Sequence, residues 1–127
     1  MARDEAREWL AVAEIDVKAA RNCIREPEPT PEAAAYHCQQ AAEKVVKAAL
    51  VATGINPPRI HDIAALVDRL PSAHPLMTMF RELESLTVYG LAYRYPVDEQ
   101  LTNPPMPAEA DVQKWIARIE HLMAALK

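Results

Sequence analysis

The positions of the prolines constrain the fold of this chain more than any other feature of its sequence. Eleven prolines in 127 residues would disrupt a helical protein if they were scattered, because an interior proline breaks a helix. Here they cluster at positions 27/29/31, 57/58, 71/75, 96 and 104/105/107. The clusters separate five segments, each with apolar residues at helical spacing and none with a competing strand pattern. The sequence therefore predicts an all-α protein, an up-and-down bundle of five helices.

We predict these helices at about residues 2–26, 30–54, 60–70, 76–95 and 107–126. A chain of this length forms one core, so we expect a single helical domain over residues 1–127. With 50% hydrophobic residues and only two glycines, the composition is that of an ordered, largely regular protein.

The second segment has start and stop signals at both ends. Thr30 occupies the N-cap position, Pro31 the first helical position, and Gly54 the point where the chain must leave the helix. Apolar side chains cover more than half of the circumference of this segment. A helix of this kind is contacted by several neighbours, so we predict that it lies at the centre of the bundle.

One narrow polar ridge interrupts the apolar surface of the second segment. At about 100° per residue, its members fall within roughly 60° of one another; they are Tyr36, Gln40, Glu43 and Lys47. The ridge is predicted to line either a groove or an interface.

Two charged residues on other segments are predicted to face the same region. Asp16 lies within the apolar face of the first helix, where a carboxylate requires a cationic or hydrogen-bonding partner. Lys47 or Arg94 is the expected partner, because Arg94 shares the inward azimuth of Leu76 and Leu83 if the fourth helix persists. Both a structural ion pair and a ligand-binding role are open for Asp16.

The remaining chemistry-bearing residues favour structural roles. His61 and Asp62 fall in the first turn of the third helix, where capping is expected over catalysis. Cys23 and Cys38 are expected to be buried thiols without a disulfide. His37 and Cys38 are adjacent and point about 100° apart, so they do not chelate together. We expect no metal site and no cofactor.

The charge and the absence of a long apolar run limit the possible partners. A net charge of −4 argues against broad attraction to nucleic acid or to anionic membranes. Without a signal sequence or a membrane span, the chain is expected to be soluble and cytoplasmic.

Several motifs together resemble the HEPN domain family (higher eukaryotes and prokaryotes nucleotide-binding). They are Trp9 and Asp16 in the first helix, the run HCQQAAEKVVKAAL with Gln40, Glu43 and Lys47, the turn at Gly54, the sequence His61-Asp62-Ile63, and Arg94-Tyr95-Pro96. The resemblance covers about residues 6 to 96. It implies an all-α bundle, commonly a homodimer, that binds nucleotide or works beside a minimal nucleotidyltransferase as a toxin–antitoxin pair.

The HEPN family, which this chain resembles, includes ribonucleases. These enzymes carry an arginine that is followed, four to six residues later, by a histidine near the start of a late helix. The corresponding region here, RYPVDEQLTNPP, contains no histidine. A formal match from Arg69 to His74 lies in a proline-interrupted link, and we interpret it as fortuitous. The sequence therefore favours a non-enzymatic module over an enzyme.

Two hypotheses follow. In the first, Lys47 and Arg94 contact the phosphates of a nucleotide and Tyr36 stacks on its base, or the same residues contact a partner. In the second, a metal-independent dimeric ribonuclease acts on RNA with His61, His37 or His74 and with Arg94 or Arg69. The polar ridge could also be a buried network that only fixes helix register.

Overall fold

A computed structural model describes residues 2–90 and 104–127 of the chain. The described part consists of helices and connecting turns, with no strand, and confirms the predicted all-α fold. The elements are α1 (Ala2–Cys23), α2 (Pro31–Ala52), α3 (Ile63–Val67), α4 (Met77–Arg81), a 3₁₀ helix (Glu84–Gly90) and α5 (Glu109–Leu126).

The long helix α2 lies at the centre of the molecule, as its sequence predicts. It packs against α1, α3, α5 and the 3₁₀ helix, and most of its side chains are buried. Trp9 lies near Lys47 whereas Asp16 contacts His37, so α1 runs antiparallel to α2. Arg21 pairs with Glu120 whereas Arg3 lies near Lys127, so α1 also runs antiparallel to α5. The core between these helices is formed by large side chains with almost no exposure, among them Leu50, Ile63, Leu66, Phe80, Leu83, Leu86, Ile119 and Leu122.

Helix α2 begins and ends at the residues from which its ends were predicted. Thr30 is the N-cap and Pro31 follows it, although the Thr30 side chain makes no capping hydrogen bond. At the other end Gly54 has φ +83° and its N–H donates to the Val51 carbonyl, while the Ile55 N–H donates to the Leu50 carbonyl. This pair of bonds is a Schellman motif, which requires the left-handed conformation that glycine adopts without strain.

The fourth predicted helix, 76–95, is wrong in its extent. The structure has a short α4 and then a 3₁₀ helix, and residues 91–95, with Arg94, lie outside the described part. Phe80, Leu83 and Leu86 follow one another at intervals of three and are fully buried. The Leu83 N–H donates to the Phe80 carbonyl and the Leu86 N–H to the Leu83 carbonyl. Bonds between residues three apart are those of a 3₁₀ helix, so the chain winds more tightly than an α-helix from the end of α4 onward.

No helix within residues 2–90 and 104–127 is both long enough and apolar enough to cross a membrane.

Candidate functional site

Glu43 is the centre of a buried polar network in the middle of α2. Its carboxylate accepts hydrogen bonds from the Lys47 ammonium at 2.9 Å and from the Gln39 amide at 3.1 Å. His61 Nδ1 lies 2.8 Å from the same carboxylate oxygen that Lys47 contacts. Gln39, Glu43 and Lys47 are spaced four residues apart, so they form one ladder on successive turns of the helix.

The pKa of Glu43 reports the balance of forces in this network. Burial on its own would raise the pKa of this carboxyl group, because the charged form loses its hydration. Hydrogen bonds from Lys47, His61 and Gln39, together with the positive charge of Lys47, outweigh burial and hold the pKa below its ordinary value. Glu43 is therefore a carboxylate at neutral pH, and it orients the groups around it.

His61 connects the buried carboxylate to the surface. Its side chain is 82% exposed although Nδ1 contacts Glu43, whose side chain is only 6% exposed. The expected capping role is wrong for His61 and confirmed for Asp62, whose carboxylate accepts from the backbone N–H groups of Ala64 and Ala65. With Nδ1 held by the carboxylate, Nε2 of His61 faces solvent and is the ring atom available to a ligand.

Lys47 links the same network to a cavity. Its ammonium lies 5.4 Å from the centroid of the Trp9 ring, within range of a cation–π contact. A cavity of about 490 Å³ opens beside this pair. Its lining consists of Glu5, Glu8, Trp9, Val12, Lys47, Asn56, Pro57, Pro58 and Arg59. Nucleotide-sized ligands occupy cavities of this volume.

Asp16 has partners other than the predicted ones. Its two carboxylate oxygens contact Lys44 Nζ at 2.5 Å and His37 Nδ1 at 3.0 Å, so the expected pairing with Lys47 is wrong. The reason is position along the helices: His37 and Lys44 lie level with Asp16, whereas Lys47 lies level with Trp9, two turns of α1 away from Asp16. Asp16 therefore joins α1 to α2 through a second cluster, separate from the Glu43 network.

The predicted ridge is continuous along α2 but does not form one compact site. Tyr36 lies eleven residues before Lys47, which is roughly 16 Å along the helix, and its ring makes an edge-on contact with His37. Gln40 joins the network indirectly, by donating to the Gln39 amide oxygen at 2.7 Å. Arg94, the predicted cation opposite the ridge, lies outside the described residues.

Several residues of the site were not selected from the sequence. Gln39 is almost fully buried, and its spacing of four residues to Glu43 and of eight to Lys47 is the signal that could have found it. Trp9 enters the sequence analysis only as a residue of the family resemblance, without a role in a cavity. Arg59 lies in a proline-flanked turn, and no local pattern connects such a turn with α1.

The other histidines and the cysteines remain outside the site. His74 accepts from the Leu76 N–H through Nδ1 and contacts the Phe80 ring edge-on, so it serves the turn before α4. Cys23 and Cys38 are free thiols, and burial raises the pKa of Cys38 to about 12. Within the described ranges, no group of three or more histidine, cysteine and acidic side chains has the geometry to bind a metal ion.

Comparisons with known proteins agree with this architecture. The profile of the HEPN domain matches residues 6–127, almost the whole chain and more than the span of the motifs. Neither the curated proteins nor the solved structures contain a significant match. The match includes α1, the central helix with the Glu43 network, and α5. The chain therefore belongs to the HEPN domain family.

Proposed function

We propose that this HEPN domain is a non-enzymatic module that binds a nucleotide in the cavity beside Trp9 and Lys47. The observation that carries the proposal is the joint presence of an aromatic ring and two cationic side chains, Lys47 and Arg59, on the wall of one cavity. An aromatic face stacks on any base, and cations contact phosphate. The sequence hypothesis gave these roles to Tyr36 and Arg94; here Trp9 and Arg59 replace them.

The two cations have unequal roles in this proposal. Lys47 is already paired with Glu43, so its contact with a phosphate would compete with an existing ion pair. Arg59 is exposed and has no ion-pair partner among the described residues. A guanidinium donates two parallel hydrogen bonds to a phosphate, so Arg59 is the main phosphate contact and Lys47 the secondary one.

The acidic residues of the cavity complete this assignment. Glu5 and Glu8 line it beside Trp9, and they repel phosphate. They would therefore contact the base, where a carboxylate accepts hydrogen bonds from exocyclic amino groups. The orientation places the base toward α1 and the phosphates toward Arg59.

Titration with adenine and guanine nucleotides, followed by calorimetry, tests the proposal. Arg59→Ala is expected to weaken binding about tenfold, which corresponds to the loss of one charge-assisted hydrogen-bonded contact. Arg69→Ala, the loss of an equally exposed arginine remote from the cavity, is the matched control and should bind as the unaltered protein does. If Arg59→Ala and Arg69→Ala bind the nucleotide with equal affinity, the nucleotide does not bind in this cavity.

The biological setting implied by the family belongs to the same proposal. The domain would form a homodimer and would act with a minimal nucleotidyltransferase as a toxin–antitoxin pair. Light scattering at micromolar concentration is expected to give the mass of a dimer, and co-purification with a minimal nucleotidyltransferase tests the pairing. A monomer at that concentration would contradict the homodimer.

A second candidate, a metal-independent ribonuclease, is favoured by one observation: the exposed His61 is anchored by a buried carboxylate. In that reaction Nε2 would take the proton of an RNA 2′-hydroxyl, the 2′-oxygen would attack phosphorus, and the 5′-oxygen would leave. The leaving oxygen needs a proton, which the second copy's His61 would donate across a dimer.

Incubation of the purified protein with RNA discriminates between the candidates. Cleavage that is lost in His61→Gln and retained in His74→Gln would establish the ribonuclease and overturn the non-enzymatic proposal. No cleavage by the unaltered protein would retire the ribonuclease. The His74 variant is the control because that ring contacts only its own turn and Phe80.

A further inference from the structure

The flank of α1 opposite the nucleotide cavity carries a groove of different chemistry. Two adjoining cavities of about 420 and 560 Å³ lie there, and both are lined by Arg7, Leu10 and Lys127. Arg3 and Leu126 line one of them and Glu14 the other. We refer to the two cavities together as the basic groove. It follows α1 from Arg3 to Glu14, beside the end of α5.

The charges of the basic groove are not neutralised within the described chain. Ion pairs hold some cations of this chain, as Arg21 pairs with Glu120 and Lys44 with Asp16. Within residues 2–90 and 104–127, Arg3, Arg7 and Lys127 are among the cations that have no ion-pair partner, and these three line one groove. Among the described side chains that line the two cavities, Glu14 is the single carboxylate. A local positive excess therefore persists on a chain whose net charge is −4.

Between the cations, the floor of the basic groove is apolar. It consists of Ala6, Leu10, Ala52 and Leu126, and no aromatic side chain of the described residues lines either cavity. A nucleic acid would use aromatic faces for its bases and a wider cationic surface for its backbone. The combination of an apolar floor with a cationic edge instead fits a ligand that has an apolar face and a line of carboxylates.

We propose that the basic groove docks an acidic amphipathic helix of a partner protein. The groove runs along α1 from Arg3 to Glu14, eleven helical steps or roughly 16 Å, which is the length of about three helical turns. Arg3 and Arg7 are four residues apart on α1, so they match two carboxylates at the same spacing on a second helix. The apolar face of that helix would cover Ala52 and Leu126, which are not buried in the core, the mode in which an amphipathic helix lies in a groove.

Binding of synthetic peptides tests this site without knowledge of the natural partner. The probe is a labelled helical peptide of about 15 residues, with leucines on one face and two glutamates four residues apart beside them. Two further probes are the same peptide with glutamine in place of the glutamates and a single-stranded RNA oligonucleotide of equal length. Fluorescence anisotropy is expected to show binding of the acidic peptide, with at least about tenfold weaker binding of the glutamine peptide and of the RNA.

Matched protein variants locate the binding. Arg3→Ala/Arg7→Ala is expected to weaken binding of the acidic peptide at least about tenfold, because it removes two charge-assisted contacts. Arg69→Ala/Lys114→Ala changes the net charge equally at exposed positions outside the groove and should leave peptide binding unaltered. Circular dichroism of both variants checks that the helices remain folded.

Three outcomes would overturn the inference: no binding of the acidic peptide, equal loss in the two double variants, or preference for the RNA. Equal loss would reveal general electrostatic attraction, and RNA preference would identify a nucleic-acid surface. The result is independent of the nucleotide proposal, because Arg3 and Arg7 do not line the cavity beside Trp9. Nucleotide titration of Arg3→Ala/Arg7→Ala should therefore match that of the unaltered protein.

Discussion

At the scale of single residues, Glu43 shows how a buried charge is kept ionised inside a helical core. Lys47, Gln39 and His61 all contact its carboxylate, and three hydrogen bonds with one positive charge offset the loss of hydration. Removal of the carboxylate would leave the Lys47 ammonium, whose side chain is only 9% exposed, without its partner. A buried charge that loses its partner costs far more than an exposed one.

We therefore expect Glu43→Ala to lower the free energy of unfolding by roughly 3 kcal/mol. Glu43→Gln should cost less, because the amide still accepts a hydrogen bond from Lys47. Urea denaturation of the two variants and the unaltered protein measures the difference. If Glu43→Ala lowers the free energy of unfolding by less than about 1 kcal/mol, the loss is no larger than that of a solvent-exposed ion pair. That result would contradict the buried network.

The lowered pKa of Glu43 also sets a pH dependence. A carboxyl group with a folded-state pKa below its unfolded value, here 4.5, adds stability above that pH. This contribution is lost as the pH falls through the folded-state pKa. The stability of the unaltered protein should therefore fall more steeply than that of Glu43→Gln when both are titrated from pH 6 to lower pH by urea denaturation. Parallel curves would show that Glu43 has the same pKa in both states.

Cys38 provides a residue-scale probe of the core. Burial, and then the charge of Cys23, raise the pKa of Cys38 to about 12, so its thiol is neutral at pH 8. Because the side chain is buried, reagents in solution do not reach it. Cys23 is partly exposed. Iodoacetamide at pH 8 is expected to alkylate Cys23 slowly and Cys38 only after urea is added, as read by peptide mass. Alkylation of native Cys38 at the rate of Cys23 would contradict its burial.

At the scale of elements, local sequence decides where helices begin and end and how tightly they wind. Gly54 closes α2 because its φ of +83° suits a residue without a side chain. Asp62 begins α3 by accepting two backbone N–H groups. After α4, hydrogen bonds join Leu83 to Phe80 and Leu86 to Leu83, and the chain winds into a 3₁₀ helix rather than continuing as the predicted longer α-helix.

The two glycines form a matched pair for testing the end of α2. Gly54→Ala is expected to lower the free energy of unfolding by about 1 kcal/mol or more, because alanine is strained in the left-handed region. At Gly90 an added Cβ would meet the Gln39 side chain at an ordinary contact distance of 3.5 Å. Gly90→Ala should therefore be nearly neutral. Equal thermal denaturation midpoints for the two variants would contradict the Schellman motif.

At the scale of the whole molecule, α1 is joined to its two neighbours by ion pairs of different kinds. Asp16 holds α1 on α2 through Lys44 and His37, and its side chain is only 11% exposed. Arg21 and Glu120 join α1 to α5 through a pair in which both side chains are largely in solvent. Shielding from water makes the first connection the stronger one. The looser seam with α5 is also where the basic groove opens.

We expect Asp16→Ala to reduce the free energy of unfolding by about 2 kcal/mol, since Lys44 and His37 would face each other without the carboxylate between them. Arg21→Ala should cost less than about 1 kcal/mol. Urea midpoints of the two variants give the comparison. If Arg21→Ala proves the more costly, the α1–α5 seam and not the α1–α2 seam holds the first helix in place.

The sequence by itself determined the helical class, the central position of α2 and the ends of that helix, because periodicity, proline positions and caps act within a few residues. It also placed Glu43 and Lys47 on one face of a helix. Only the tertiary structure decided that Glu43 meets His61, that Asp16 meets Lys44 and His37, and that Arg59 reaches the cavity beside Trp9. These contacts join residues 18 to 50 positions apart, and their formation depends on how helices rotate and cross when they pack, which no local pattern specifies.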